Sequence, residues 1–209
     1  MLSRTALLLC VLSYSGEPAL AACDAKLEVL KESEAAARYE SISRLAPDLA
    51  TEYQNTGVSL LVEPGLMFPY RLALINRSGG WSAEYTSYDE GKPAAAPKTL
   101  PMGTKVIGLD SRLARHVFDT WHRAIEQPIT SNSQEMILDG TSFLIGAGGS
   151  WAHTYSPSCG VPRALVDSGD TLRRAIRAKA EGERNLELKH LEVLLRSIDA
   201  QLANRTIEK

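Results

Sequence analysis

Residues 134–156 read QEMILDGTSFLIGAGGSWAHTYS, and this stretch is the strongest guide to the fold. It contains two residue pairs typical of tight turns, Asp139-Gly140 and Gly148-Gly149. Such pairs supply the positive φ angles that two-residue type I′ turns need, and the residues between them favour strands. We therefore predict a three-stranded antiparallel meander near residues 134–156.

The second turn also predicts which residues face one another across the hairpin. With Gly148-Gly149 as the turn, one face pairs Ser142, Leu144 and Gly146 with Tyr155, His153 and Trp151. The other face pairs Phe143, Ile145 and Ala147 with Thr154, Ala152 and Ser150. Apolar residues occur on both faces, so we expect helices on one face and a partial cover or a partner on the other.

Further strand and helix patterns surround this meander. Short apolar or alternating runs predict strands at residues 58–62, 70–76, 81–88 and 105–109, with Ser78-Gly79-Gly80 as a hairpin turn. Apolar residues spaced by three and four predict helices at residues 35–53, 111–127, 162–176 and 188–202. The chain is therefore predicted to be an α+β domain, in which an antiparallel sheet packs against N-terminal, middle and C-terminal helices.

The last of these helices carries a leucine-rich seam. Its apolar residues repeat at three and four, in the order Leu188, Leu191, Leu195, Ile198 and Leu202. A seam of about two heptads is marginal for an isolated coiled coil in water. We predict that it packs inside its own chain, against the N-terminal helix, and that the protein is a monomer. The alternative is a coiled-coil dimer.

The N-terminus has the order of features found in export signals. Arg4 is followed by the apolar run ALLLCVL at residues 6–12, and small residues precede Cys23. This run is much shorter than the ~20 residues that span a bilayer, so no transmembrane segment is predicted. We expect a signal peptide at residues 1–22, a single domain at residues 23–209, and a periplasmic or secreted location.

Two fates are open to Cys23. The sequence Leu20-Ala21-Ala22-Cys23 is similar to a bacterial lipobox, which would make the protein a membrane-anchored lipoprotein. The other alternative, which we favour, is a Cys23–Cys159 disulfide, because only these two cysteines remain after the signal is removed. The loop model gives such a bond roughly 5 kcal/mol. The intact mass of the mature protein separates a cystine from a diacylglyceryl group.

Composition and motifs argue against several functional classes. A net charge of −2 and a pI near 6.1 give no support for nucleic-acid binding. His116 and His122 share a helix but point in different directions, and no zinc or phosphate-loop pattern occurs, so no metal or cofactor is predicted. A thiol enzyme using Cys159 with His153, or a carboxylate pair drawn from Glu63, Glu84 and Asp89, would depend on the fold.

Two groups of side chains are candidates for contact with a partner. The first is aromatic and lies on predicted strands: Trp81, Tyr85, Trp151 and Tyr155. The second is basic and lies on the polar face of the middle helix: Arg112, Arg115 and Arg123. The structural alternative is that the aromatic residues are core, and that the helix face is solvated with Arg115–Asp119 and His122–Glu126 ion pairs.

One part of the chain resembles a known module. The runs Leu138-Asp139-Gly140-Thr141-Ser142-Phe143 and Thr154-Tyr155-Ser156-Pro157, with the apolar face beginning at Leu165, are similar to a module of uncharacterised exported proteins of Gram-negative bacteria. The resemblance is confined to residues 138–172. It implies an α+β fold and a bacterial envelope setting, and it carries over no catalytic residue.

These features favour a non-enzymatic envelope protein that binds a partner protein or cell-wall material, such as an inhibitor or immunity protein. One alternative is an envelope hydrolase that uses carboxylate chemistry. Another is a structural or assembly factor of the envelope that uses the leucine seam.

Overall fold

The computed structural model describes residues 25–31, 33–35, 37, 57–64, 69–77, 80–88, 101–127, 129 and 140–207. These residues form one antiparallel sheet and three helices longer than three turns, which confirms the α+β class. The elements in chain order are β1 Glu28–Leu30, β2 Val58–Pro64, β3 Tyr70–Arg77, β4 Gly80–Tyr88, β5 Pro101–Leu109, α1 Ser111–Glu126, β6 Thr141–Ala147, β7 Ser150–Tyr155, α2 Gly160–Arg177 and α3 Glu181–Ile207. The strand order in the sheet is β1-β7-β6-β2-β3-β4-β5.

The β6–β7 hairpin has the predicted turn and the predicted register. Gly148 and Gly149 have φ angles of 58° and 84°, the positive values that a type I′ turn needs. The pairs run from Ser142 with Tyr155 to Ala147 with Ser150, so both predicted faces are confirmed.

The described strand on the other side of β6 comes from a distant part of the chain. The place beside β6 belongs to β2, from Val58 opposite Ala147 to Pro64 opposite Thr141. Strand β6 therefore has β7 on one side and β2 on the other. Residues 134–138 and Asp139 lie outside the described ranges. Local turn chemistry specified one neighbour of β6, whereas a strand about 80 positions away supplies the other.

The helices pack on one face of the sheet and close the main core. Alternate strand residues such as Leu60, Leu72 and Ile145 meet buried residues of all three helices. One close approach is at Gly169 of α2, where an added Cβ would overlap the end of the Leu60 side chain.

The leucine seam packs inside its own chain, as predicted. Leu191, Leu195, Ile198 and Leu202 are at most 1% exposed. Their described neighbours are α2 and, to a smaller extent, α1. The predicted partner, a helix at residues 35–53, lies mostly outside the described residues, although Ala35 is buried and helical.

Strand β1 was not predicted. It lies at the sheet edge, where Glu28 pairs with His153 and Leu30 with Trp151. Because the two strands are antiparallel, Ala25 lies toward the end of β7 that leads into Cys159, the residue that precedes α2. This placement is compatible with a Cys23–Cys159 disulfide, but Cys23 and residues 1–22 lie outside the described ranges. The bond, the lipid anchor and the signal peptide therefore stay predictions.

We expect Gly140→Val to destabilise the base of the β6–β7 hairpin. A Cβ at this position would stand 2.5 Å from Ser156 Oγ and 2.5 Å from a carbon of the Tyr155 ring. Overpacking of this kind costs about 1–3 kcal/mol, measured by chemical denaturation. The control is Gly182→Ala in α3, where an added Cβ meets nothing within 4 Å and should stabilise by about 0.5–1 kcal/mol. Equal unfolding midpoints for Gly140→Val and the wild type would contradict the close contact.

Candidate functional site

An open recess on the exposed side of α1 brings together several charged side chains. It has a volume of about 450 Å³, and its lining residues are Ser111, Arg112, Arg115, His116 and Asp119. Helix α1 begins here because the Asp110 side chain accepts hydrogen bonds from the backbone N–H groups of Arg112 (2.9 Å) and Leu113 (3.2 Å). The recess therefore lies over the first turns of a well-capped helix, and its side chains project from a rigid support.

One carboxylate of α3 holds the wall of this recess in place. Asp199 Oδ2 lies 2.8 Å from His116 Nε2. Its other oxygen accepts hydrogen bonds from Thr120 Oγ1 at 2.8 Å and from Arg123 at 2.6 Å. Charge-assisted hydrogen bonds of this length are among the stronger polar interactions in proteins. His116 and Arg123 are thus fixed between α1 and α3, and Arg123 is engaged within the protein.

Arg115 differs from Arg112 and Arg123 in having no ion pair among the described residues. The predicted Arg115–Asp119 pair does not form, and in the part of the chain that the structure describes no carboxylate oxygen lies within 4.0 Å of the Arg115 guanidinium. Arg112 has only a long contact of 3.9 Å to Glu192. The predicted His122–Glu126 contact is present at 3.6 Å. Two exposed guanidinium groups at the mouth of the recess are therefore weakly paired or unpaired.

The aromatic candidates do not form one exposed surface. Tyr85 and Trp151 are each 6% exposed, and Trp81 is partly buried against the core. Trp151 is buried because its ring covers Gly146 on the opposite strand, where a Cβ would come within 2.6 Å of it. Tyr155 remains 40% exposed. Tyr85 and Trp151 are therefore buried, as the structural alternative expected, and Tyr155 is the exposed aromatic residue of this group.

Tyr85 also takes part in a cluster of arginine and tyrosine side chains. The Tyr70 and Tyr85 rings are 5.7 Å apart, and the guanidinium groups of Arg173 and Arg177 lie 5.1 Å and 5.6 Å from the centres of the respective rings. Burial raises the pKa of Tyr70 to about 12, because the charged phenolate would lose its hydration. The cluster fastens the end of α2 to the sheet.

A second polar arrangement lies on the opposite face of the sheet. Ser142 Oγ of β6 is 2.8 Å from His153 Nε2 of β7. The sequence suggested His153 only as a partner for Cys159. In the confirmed hairpin register, Ser142 and His153 are diagonal neighbours on one face of the sheet, and that register was the sequence signal for the contact.

The candidate carboxylates are dispersed. Glu63 lies opposite Ser142 across the β2–β6 pair. Glu84 is buried and forms an ion pair with Arg77 at 2.9 Å. Asp89 lies outside the described residues. Glu84 is thus engaged within the sheet, and Glu63 is the carboxylate of this group that borders other polar side chains.

Within the described ranges, no three His, Cys, Asp or Glu side chains are grouped so as to hold a metal ion. None of the described helices is long and apolar enough to cross a membrane. Comparisons with protein-family models, curated proteins and solved structures found no match. The geometry of the two polar sites is therefore the guide to function.

Proposed function

We propose that this chain is an exported protein that binds an acidic surface of a partner protein through the recess on α1, in the manner of an inhibitor or immunity protein. The observation that carries the proposal is the Arg115 guanidinium, which is exposed at the recess and has no carboxylate within 4.0 Å among the described residues. Arg112 stands beside it with a single long contact.

The recess suits recognition of carboxylates because its support is rigid. Asp199 anchors His116 and Arg123, so the surface beneath the Arg112 and Arg115 side chains is already ordered before a partner arrives. A preorganised surface loses less conformational entropy on binding. A guanidinium also binds a carboxylate through two parallel hydrogen bonds, which favours a partner with correctly placed Asp or Glu side chains.

The alternative of an assembly factor required an exposed leucine seam on α3. Leu191, Leu195 and Ile198 are buried against α2 and α1, so the seam is not available to a second chain. The exposed large apolar residues of α3 within the described ranges are Leu186 and Val193, which are not members of that seam.

The test is capture of partners from a periplasmic extract by the wild type and by Arg112→Glu/Arg115→Glu. We expect the double variant to lose at least tenfold in affinity for the captured protein, since each charge reversal turns attraction into repulsion. Binding by the wild type should also weaken as salt is raised, because exposed charges are screened.

The matched control is Lys179→Glu/Lys189→Glu, which makes the same change in net charge at exposed positions away from the recess. This control should keep wild-type affinity. Equal capture by the two double variants would contradict the proposed site.

A further inference from the structure

The Ser142–His153 contact has the geometry of an activated hydroxyl. The two heavy atoms are 2.8 Å apart, which is within the range expected for a nucleophile and its general base. Both residues are partly exposed to solvent, unlike their neighbours Leu144 and Trp151, which are buried. The hydroxyl and the imidazole are therefore in contact and accessible.

A carboxylate stands on the other side of the histidine. Glu28 of β1 is directly opposite His153 in the β1–β7 register. Directly opposite residues of antiparallel strands share a face, with Cβ atoms about 4.5–5.5 Å apart. Ser142, His153 and Glu28 thus lie on three neighbouring strands, β6, β7 and β1. The histidine lies between the hydroxyl and the carboxylate, as it does in a serine–histidine–carboxylate triad.

The backbone directly after β7 has an uncommon conformation. Ser156, which follows β7, is the non-glycine residue with a positive φ, 38°, among those described. Its Oγ accepts a hydrogen bond from the Thr141 N–H at 2.7 Å, and the Tyr155 hydroxyl accepts one from the Gly140 N–H at 2.9 Å. Tyr155 is also directly opposite Ser142. Strain of this kind tends to occur at functional sites, where the surrounding structure holds it.

We infer that Ser142 and His153 form a nucleophile–base pair that hydrolyses carboxylic esters, with Glu28 as the residue that positions the imidazole. Ser142 Oγ attacks the carbonyl carbon of the ester while His153 Nε2 takes the hydroxyl proton. The C–O bond to the leaving group breaks, and that oxygen leaves with the proton from His153 as an alcohol. Water then attacks the acyl-serine, His153 takes a proton from it and returns it to Ser142 Oγ, and the carboxylic acid is released.

This activity is independent of the binding function proposed above. It uses β6, β7 and β1, and none of its residues lines the recess on α1. Loss of one function therefore does not predict loss of the other.

The test is covalent labelling of the full chain with a fluorophosphonate, which reacts with activated serine hydroxyls. We expect one adduct by intact mass, located on Ser142 by peptide mapping. Ser142→Ala should give no adduct, and His153→Gln should label roughly 100-fold more slowly, the lower end of what a general base contributes. Ser150→Ala, in the same hairpin, should label like the wild type.

A folded wild-type protein without an adduct on Ser142 would overturn the inference, and this outcome needs no variant. So would equal labelling rates for His153→Gln and the wild type, with circular dichroism showing that both are folded. Glu28→Gln distinguishes positioning from packing. It should slow the labelling of Ser142 and leave the unfolding midpoint unchanged, because the Glu28 side chain is about half exposed.

Discussion

Replacing Leu191 and Leu195 with alanine is expected to lower the free energy of unfolding by several kcal/mol without changing the oligomeric state. The two side chains are 1% and 0% exposed, and they lie where α3 packs against α2 and α1. Truncation of a buried leucine costs about 2–5 kcal/mol, because apolar contacts are lost and the cavity closes only in part. Since domains are stable by only about 5–15 kcal/mol, the double variant should approach the limit of folding.

Urea denaturation of the two single variants gives the cost of each side chain, and light scattering gives the mass of the double variant. The control is Leu186→Ala on the same helix, where the side chain is 68% exposed and its removal should change stability by less than about 0.5 kcal/mol. A wild-type dimer that becomes a folded monomer in the double variant would contradict intrachain packing of the seam.

The second large effect is expected at Trp121. Its side chain, on α1, is 1% exposed, and its Nε1 donates a hydrogen bond of 3.1 Å to Ser168 Oγ of α2. Trp121→Ala should cost about 3–5 kcal/mol, because a large ring between two helices is replaced by a cavity. The loss should be measured by chemical denaturation at neutral pH.

Trp121→Phe separates the ring from its hydrogen bond. Ser168 Oγ keeps its own bond to the Leu165 carbonyl oxygen at 2.7 Å, so loss of the indole N–H leaves no unpaired donor. We expect the phenylalanine variant to lose distinctly less than the alanine variant, on the order of 1 kcal/mol for the bond plus a term for the smaller ring. Equal losses in the two variants would show that packing of the ring contributes little.

The candidate sites were only partly foreseeable. The polar face of α1 was predicted, and so was the contact between His122 and Glu126, because residues four apart on a helix are always neighbours. The partner of His116 and Arg123 was not, because Asp199 is some 80 positions further along the chain. Gly146 was predicted opposite Trp151, but the strand pattern allowed either face of the hairpin to be exposed, and only the structure shows that the Trp151 ring is buried over this glycine.

The sequence by itself determined the features that depend on residues close together in the chain. These are the Gly148-Gly149 turn with the register of β6 and β7, the cap of α1 at Asp110, and the apolar face of α3. Turn conformation, capping and helical periodicity are local, so a few neighbouring residues decide them. Only the tertiary structure decided that β2 lies beside β6, that β1 closes the edge next to β7, and that Asp199 reaches α1. These pairings join distant segments, and the choice among competing partners is made by the packing of the whole core.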